Sequence, residues 1–411
     1  MGPRRAILTS GKTPFMSLPE PLSSESTLAE EAGVVAQEML SALVPSRRER
    51  AAAFAGRCVD EVVRQALRRL FIRRGVPYMS AEELERSFAM LRVYTDPQVL
   101  ADPDRLLAPP SRTPPLEVKW RRPMRGGSHA HLTFASPYRP VHEIYAAEFR
   151  RYDRLDTVHV FSWKHTRPAP ASILLTHGWG MGAKRVHERE FAVDFLFRVL
   201  GLDVYYYVAP FHWVRKPTRA RFSGELHPSP NLMRTNEAFI QTAQEIRTVL
   251  GLIQEQGSGP IGMMGSSLGG YTTAFIASVD DRLSFAIPVL PPGSLADLFW
   301  EHGENDPVRK QVESMGMTRE RFRAAWALHS PLSYEPKVPF EGRMIVSATG
   351  DGLVQAKHVE PLLDHWQQPR HHRFAGGHLL QLYAGTYHRE IGRLLVDLGI
   401  LSPLRLARIR R

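Results

Sequence analysis

The chain has 411 residues, of which 43% are hydrophobic and 23% charged, as in ordinary globular proteins. No segment approaches the roughly 18 to 20 apolar residues that a membrane-spanning helix requires, and the N-terminus lacks the apolar stretch of a secretory signal. Cys58 is the only cysteine, which excludes an intrachain disulfide. These features predict a cytoplasmic protein with one large α/β domain and an additional segment.

More than half of the net charge of +11 comes from residues 47–74, which hold nine arginines and three acidic residues. Such a segment is either the solvated face of a helix docked on the main domain or a basic helix that contacts an anionic membrane. We favour the solvated face, because runs of charge usually face water. Neither zinc-finger spacing nor an aromatic-rich RNA motif accompanies the charge, so nucleic acid is not an expected partner.

Three regions follow one another along the chain. Residues 1–25 are rich in Pro, Ser and Gly, which predicts a disordered tail. Residues 26–117 have helical periodicity, which the proline-rich segment 101–115 interrupts near its end. From residue 118 onward, short apolar runs alternate with longer mixed segments, so we expect a second domain over residues 118–411.

The apolar runs of this domain are rich in β-branched or aromatic residues and are bounded by Gly, Pro or Asp, as strands are. Eight such runs occur, at residues 130–138, 157–165, 171–179, 203–211, 260–267, 285–291, 343–350 and 371–377. Helical patterns separate most of the later runs, which predicts an α/β fold with a mostly parallel eight-stranded sheet flanked by helices. The early runs lack intervening helices, so we expect them to begin the sheet as an antiparallel pair.

The segment Gly265–Gly269 reads GSSLG and matches the pattern G-x-S-x-G, with Ser267 at its centre. A strand-like run precedes it and a helix-compatible run follows it, which is the context of a nucleophile turn. The glycines remove side chains that would collide in so sharp a turn. Ser266 lies one residue early, so we assign the nucleophile to Ser267. The pattern alone also fits a structural bend between a strand and a helix.

A serine nucleophile needs a base, which we expect on a loop beyond the end of the last strand. His378 meets this expectation, because it follows the last strand-like run in the sequence FAGGHLL. His371 and His372 lie inside that run and His388 lies in the following helical segment, so they are weaker candidates.

A third group, a carboxylate, has to fix the tautomer of the imidazole and stabilise its charged form. Asp351 directly follows the run at 343–350, in the sequence TGDGLV. Asp297 and Glu301 are the alternative acids, and Asp351 also fits the role of a simple turn residue. We assign the acid to Asp351.

The sequence HGWG (177–180) ends another strand-like run. Acyl transfer needs two N–H donors for the oxyanion that forms in the reaction. We expect the first from Leu268, directly after the nucleophile, and the second from Trp179, with Gly180 as the next choice. Gly178 allows this backbone to fold toward the serine. On its own, HGWG also fits an ordinary glycine-rich turn.

The motifs HGWG, GSSLG, GDGLV (350–354) and GGH (376–378) resemble the α/β-hydrolase superfamily from about residue 130 to the C-terminus. The chain order of serine, acid and histidine is that of this superfamily. The resemblance implies the α/β-hydrolase fold and a triad of Ser267, Asp351 and His378, in a serine esterase or lipase-like branch of bacterial type. It does not extend to the N-terminal helical segment and does not indicate the substrate.

Residues 292–342 separate two strand-like runs, and in this fold such an insertion commonly forms a small cap over the pocket. Four aromatic residues of the insertion either line an acyl site or pack a surface helix: Phe299, Trp300, Phe322 and Trp326. We expect four residues outside the insertion to contact the substrate: Gly178, Gly180, Met181 and Phe211.

The sequence therefore predicts a serine carboxylic-ester hydrolase that acts on a small-molecule or lipid ester through an acyl-enzyme. The alternatives are a lipase or phospholipase at a membrane surface, a peptidase or amidase, and a catalytically silent binding protein on the same fold. This chemistry needs no metal or cofactor, and the histidines lack metal-ligand spacing such as H-E-x-x-H.

Overall fold

The structure is a computed structural model, and it describes residues 45–72, 80–229, 231–257, 259–304 and 307–405. The described residues from Glu49 onward belong to one compact unit. The tail predicted at residues 1–25 lies outside the described residues, as do residues 26–44 of the predicted helical segment.

Within the described residues, a single sheet of nine strands forms the centre of the fold. The strands are β1 (Glu117–Met124), β2 (Gly127–Ala135), β3 (Thr157–His165), β4 (Ser172–Thr176), β5 (Asp203–Tyr207), β6 (Ile261–Ser266), β7 (Leu283–Val289), β8 (Met344–Ala348) and β9 (Arg370–Phe374). Their spatial order is β1-β2-β3-β5-β4-β6-β7-β8-β9. The six strands from β5 across to β9 run parallel, which confirms the predicted mostly parallel sheet.

The sheet has one strand more than the eight expected, and the additional strand is β1. It pairs with β2 alone, at the edge of the sheet, and its side chains are mostly exposed. An edge strand that faces water on both sides needs no apolar run, and charged side chains protect it from pairing with other chains. Its sequence, EVKWRRPM, therefore lacks the pattern that identifies a buried strand.

Helices cover both faces of the sheet and precede it in the chain. They are α1 (Arg47–Ile72), α2 (Ala81–Met90), α3 (Arg92–Thr95), α4 (Pro97–Ala101), α5 (Asp104–Leu107), α6 (Glu143–Phe149), α7 (Lys184–Glu190), α8 (Leu232–Glu255), α9 (Leu268–Val279), α10 (Leu295–His302), α11 (Pro307–Ser314), α12 (Arg319–Ala325), α13 (Ala356–His365) and α14 (Gly385–Asp397). A π-helix spans Phe195–Val199, and 3-10 turns span Trp213–Arg215, Ala327–His329, Pro331–Ser333 and Phe340–Gly342. None of the described helices is long and apolar enough to cross a lipid bilayer.

The helices before β1 share the core of the sheet domain. The Tyr94 hydroxyl donates a hydrogen bond of 2.6 Å to the buried carboxylate of Glu237 in α8. Arg247, also in α8, donates to the carbonyl of Leu107 at 2.9 Å and forms an ion pair with Asp104. β1 begins at Glu117, and the helices that precede it pack on the same core as the sheet.

A fully buried ion pair joins the segment after β5 to α8. Arg215 donates two hydrogen bonds to Glu245, at 2.6 and 2.8 Å, and neither side chain is exposed. Tyr207, Ser136 and Gln241 donate further hydrogen bonds to the same carboxylate. A buried charge of this kind is tolerated because every oxygen has donors, and removing one partner leaves the other charge uncompensated.

We expect Glu245→Gln to lower the free energy of unfolding by about 3–5 kcal/mol, since the Arg215 charge would remain buried without its counterion. Urea unfolding followed by circular dichroism measures this change. The matched control is Glu85→Gln, which removes the partner of Arg321 from an exposed ion pair on the surface and should leave the midpoint unchanged. Equal midpoints for both variants would contradict the role given to the buried pair.

Candidate active site

Ser267 occupies a sharp turn between β6 and α9, as the sequence predicts for a nucleophile. Its φ of 56° and ψ of −114° lie in a region that non-glycine residues rarely adopt. The Ser267 N–H donates to the carbonyl of Val289 at 2.8 Å, and the Ser267 carbonyl accepts from the N–H of Tyr271 at 2.9 Å. The neighbouring strand and the first turn of the helix thus hold the strained residue from both sides.

The glycines of the motif are required by close backbone contacts. A Cβ atom on Gly265 would lie 2.2 Å from the carbonyl oxygen of Gly269, and one on Gly269 would lie 2.2 Å from that of Thr176. No side chain fits at either distance, so only glycine allows the turn to sit against the end of β4.

The structure brings the three predicted triad side chains together. His378 Nε2 lies 2.8 Å from Ser267 Oγ, and His378 Nδ1 lies 2.7 Å from Asp351 Oδ2. The other oxygen of Asp351 accepts from the N–H groups of Leu353 and Val354, at 2.9 and 2.7 Å. Because the carboxylate accepts the Nδ1 proton, Nε2 is left to accept the serine proton.

The surroundings of His378 favour its charged form. Burial opposes protonation, but the charge of Asp351 and its hydrogen bond more than offset this effect, with smaller contributions from Asp60 and Glu190. The pKa of His378 is therefore raised above the ordinary value of 6.5. An imidazolium stabilised in this way is what a general base needs when it has taken a proton.

The alternative histidines have other surroundings. His371 Nε2 lies 2.8 Å from the hydroxyl of Ser347, and His372 Nε2 lies 2.8 Å from that of Thr386. His388 lies in α14, where burial lowers its pKa to about 4.

The alternative acids are held by basic partners in or beside the insertion. Asp297 accepts from Arg319 and Arg323, and Glu301 pairs with Lys357. The carboxylate that His378 contacts is that of Asp351.

The HGWG segment folds against the serine turn. His177 is buried, and its Nε2 accepts from the N–H of Ala209 at 3.1 Å, which leaves the proton on Nδ1 to bond the Gly178 carbonyl at 2.9 Å. A Cβ atom on Gly178 would lie 3.4 Å from Ser267 Cβ, so this backbone reaches the nucleophile. The Leu268 N–H belongs to the first turn of α9, whose amides have no partner within the helix.

A cavity of 770 Å³ opens over Ser267 and His378. Its lining includes the predicted substrate-contacting residues Gly178, Gly180 and Met181, together with Trp179. The other lining residues are Val63, Val186, Arg189, Glu190, Phe222, Ser223, Ser266, Leu353, Leu379, Gln381, Ala384 and His388. The wall is largely apolar, with one arginine and one glutamate.

The structure does not bring Phe211 to this cavity. Phe211 has a positive φ of 67° and is fully buried, with its ring edge-on to Tyr152. The predicted run at 203–211 contains Phe211, but the strand β5 ends at Tyr207, so the chain has already turned into the core at Phe211. The expected contact between Phe211 and the substrate is therefore not supported by its position.

The aromatic residues of the insertion also lie away from the cavity lining. Trp326 is buried in a separate cluster with Leu268 and Tyr271 of α9, and Phe322 packs against that cluster. The ring of Trp300 lies against Phe322, and that of Phe299 against Trp326. Of the two interpretations, this arrangement favours the packing of helices over the lining of an acyl site.

Sequence reasoning missed two contributions of α1 to the site. Val63 lines the cavity, and the buried carboxylate of Asp60 hydrogen-bonds the backbone beside His378. The available signal was a stripe of small residues, Ala52 and Gly56, that continues to Asp60 at a spacing of four residues on an otherwise arginine-rich helix.

Comparisons with known proteins agree with this fold. The family described as alpha/beta hydrolase domain containing 18 matches residues 117–303. Two uncharacterised proteins of Mycobacterium tuberculosis, MT2702 of strain CDC 1551 and Rv2627c of strain H37Rv, are each 29% identical over 255 residues. That alignment covers 60% of this chain but only 59% of either relative.

Among solved structures, an acetyl xylan esterase from Paenibacillus sp. R4 superposes with a TM-score of 0.50. It is 11% identical and covers 75% of this chain and 94% of its own. At this identity the likeness concerns the fold. Strand order, the turn between β6 and α9, and the matched family description agree that the chain has the α/β-hydrolase fold.

Proposed function

We propose that the protein is a serine hydrolase that cleaves carboxylic esters through an acyl-enzyme. The observation that carries this proposal is the continuous hydrogen-bonded series from Asp351 through His378 to Ser267, at 2.7 and 2.8 Å, at the wall of a cavity. A structural bend would need neither the strained serine nor a buried histidine in this position.

The first half of the reaction forms the acyl-enzyme. His378 Nε2 takes the hydroxyl proton as Ser267 Oγ attacks the ester carbonyl carbon, and the negative charge moves to the carbonyl oxygen. The N–H groups of Leu268 and Trp179 stabilise this oxyanion, and such a donor typically contributes about 10² to 10³ in rate. The imidazolium then gives its proton to the departing alcohol as the carbon–oxygen bond breaks.

The second half releases the acid. Water loses a proton to His378 as it attacks the acyl carbon, and the Ser267 oxygen leaves with that proton. Asp351 remains ionised throughout and holds the imidazole in the productive tautomer. No metal or cofactor takes part in either half.

The largely apolar wall of the cavity favours substrates in which the acyl or alcohol group is itself largely apolar. Trp179, Met181 and Phe222 face the space beside the serine. Arg189 and Glu190 add polar positions within the same wall. A space of 770 Å³ is in the usual range for small-molecule sites. We therefore propose small-molecule or lipid esters as substrates.

We also propose a cytoplasmic location, because a chain whose one cysteine is free fits a reducing compartment.

Ser267→Ala should abolish hydrolysis of p-nitrophenyl acyl esters and labelling by a fluorophosphonate probe, because the nucleophile is removed. Ser266→Ala is the matched control, since it changes the adjacent serine and should keep the label. Mass spectrometry of the labelled peptide locates the adduct. Turnover by Ser267→Ala at the wild-type rate would contradict the assignment.

The same hydrolysis and labelling assays distinguish the alternative functions. Comparable rates on p-nitroanilides and p-nitrophenyl esters would favour a peptidase or amidase. A folded wild-type protein that neither turns over esters nor accepts the probe would favour a catalytically silent binding protein.

The activity should depend on the ionisation of His378. Only the neutral imidazole accepts the serine proton, and the pKa of His378 is raised, so kcat/KM should fall as the pH drops through a value above 6.5. Asp351→Asn should lower kcat by roughly 10⁴ and move this acid limb to lower pH, because the charge that stabilises the imidazolium is lost. An acid limb that does not move would contradict the contact between Asp351 and His378.

Action at a lipid surface is the second candidate, and exposed apolar side chains on α1 favour it. Phe54 is 72% exposed and Val62 is 69% exposed, on a helix that also presents Arg50 and Arg57 to solvent. Val63 of the same helix lines the cavity. We propose that the predicted segment 47–74, of which residues 73 and 74 lie outside the described residues, contacts an anionic membrane through α1, with arginines beside phosphates and apolar side chains among the acyl chains.

The full chain should therefore co-sediment with phosphatidylcholine vesicles that contain phosphatidylglycerol, and less with phosphatidylcholine alone. Phe54→Ser combined with Val62→Ser should weaken this binding, because the insertion of apolar side chains is lost. Val118→Ser, at an exposed position of β1, is the matched control. Protein that stays in the supernatant at low salt would exclude the lipid surface.

A further inference from the structure

One face of α1 is packed directly on the loops that carry Asp351 and His378. Ala52, Gly56 and Asp60 are buried, at a spacing of four residues that places them on one side of the helix. The exposed side of the same helix carries Phe54 and Arg57. Only one side of α1 is therefore a solvent-exposed basic face, and the opposite side is buried against the domain.

On this face, the backbone of α1 is in direct contact with the backbone of both loops. A Cβ atom on Gly56 would lie 2.1 Å from the Gly377 nitrogen, and one on Gly350 would lie 2.1 Å from the Ala53 carbonyl oxygen. Gly350 directly precedes the acid, and Gly377 directly precedes the histidine. The helix thus contacts both loops where their functional side chains begin.

Asp60 stands at the centre of this contact and has no exposed surface. Its Oδ2 accepts from the His378 N–H at 2.6 Å and from the Gly352 N–H at 3.0 Å, and its Oδ1 accepts from the Leu379 N–H at 3.0 Å. One carboxylate therefore binds the backbone of both loops. Three N–H donors use both oxygens, which a neutral amide cannot reproduce, since its nitrogen would face an N–H group.

We propose that Asp60 is a positioning residue for the reaction: its carboxylate ties the acid loop to the histidine loop and holds His378 within reach of Ser267. This inference rests on the proposed function for its kinetic consequence. Asp60 touches neither the serine nor the cavity space, so it acts through the backbone of other residues. Its negative charge adds to the field that favours the imidazolium, which raises the pKa of His378 further.

A second feature supports a role in positioning rather than in folding alone. Among the described residues, the Asp60 carboxylate accepts from the N–H groups of residues 352, 378 and 379, which are the histidine itself and neighbours of the acid and the histidine. A carboxylate whose role was only to anchor α1 could bind backbone N–H groups elsewhere in the loops or the core. Asp60 instead accepts from the N–H of His378 itself. Small shifts there are costly, because about 1 Å of misplacement can lower a rate by about 10².

The test is Asp60→Asn in the full chain, assayed on a p-nitrophenyl ester over a range of pH. We expect kcat to fall about 10- to 100-fold with little change in KM, and the acid limb of kcat/KM to move to lower pH. The matched control is Glu61→Gln, which removes the same charge from the next residue. Glu61 bonds only Arg64 and Gln65 of its own helix among the described contacts, so its kinetics and pH profile should match the wild type.

A second measurement does not depend on activity. Hydrogen–deuterium exchange should be faster at residues 350–354 and 376–382 in Asp60→Asn than in Glu61→Gln, because the amide side chain offers one acceptor oxygen in place of two for the three N–H groups. Should Asp60→Asn fail to fold, Gly352→Ala replaces it. Its Cβ would lie 3.0 Å from Asp60 Cβ, which disturbs one contact and should lower kcat by less, with KM unchanged.

The outcomes separate the two proposals. Unchanged exchange in Asp60→Asn, or kinetics of Asp60→Asn or Gly352→Ala equal to wild type, would overturn the role of Asp60. A wild-type protein without esterase activity or probe labelling would overturn the proposed function, and the exchange measurement would still decide whether Asp60 holds the two loops.

Discussion

The strained backbone at Ser267 is the constraint on which the site depends. A positive φ at a residue with a side chain persists only where surrounding contacts hold it. Here Val289 of the next strand and the first turn of α9 supply those contacts, and the glycines at 265 and 269 let the turn sit against β4. The turn lifts the hydroxyl out of the sheet and places the start of a helix directly behind it.

Parallel strands then gather the remaining groups. The carboxyl ends of β4, β6, β8 and β9 lie at the same edge of the sheet, so HGWG, Ser267, Asp351 and His378 converge although they are far apart in the chain. Because each group follows a strand end, its approximate position is set by the sheet. Its final position is set by loop contacts, among which the three hydrogen bonds to Asp60 join the acid loop to the histidine loop.

The N-terminal helices make contacts with the sheet domain that their sequence pattern did not indicate. Arginine-rich periodicity indicated a helix with a solvated face, and Arg50 and Arg57 of α1 are exposed together with Phe54 and Val62. The buried side was hidden because Ala52 and Gly56 carry no apolar signal, although small residues are what a backbone contact at this distance needs. Similarly, Tyr94 and Asp104 join the earlier helices to α8 through polar contacts that hydrophobic periodicity does not record.

By itself the sequence determined the fold class and predicted the turn at Ser267 with Asp351 and His378 as its partners, because each depends on local signals: glycine placement, strand-like runs and chain order. Only the tertiary structure decided that Phe211 is buried in the core, that β1 extends the sheet, and that Asp60 bonds the backbone beside the histidine. These depend on contacts between distant segments. Residues 60 and 378 meet because α1 packs on two loops, and no periodicity within either segment encodes that meeting.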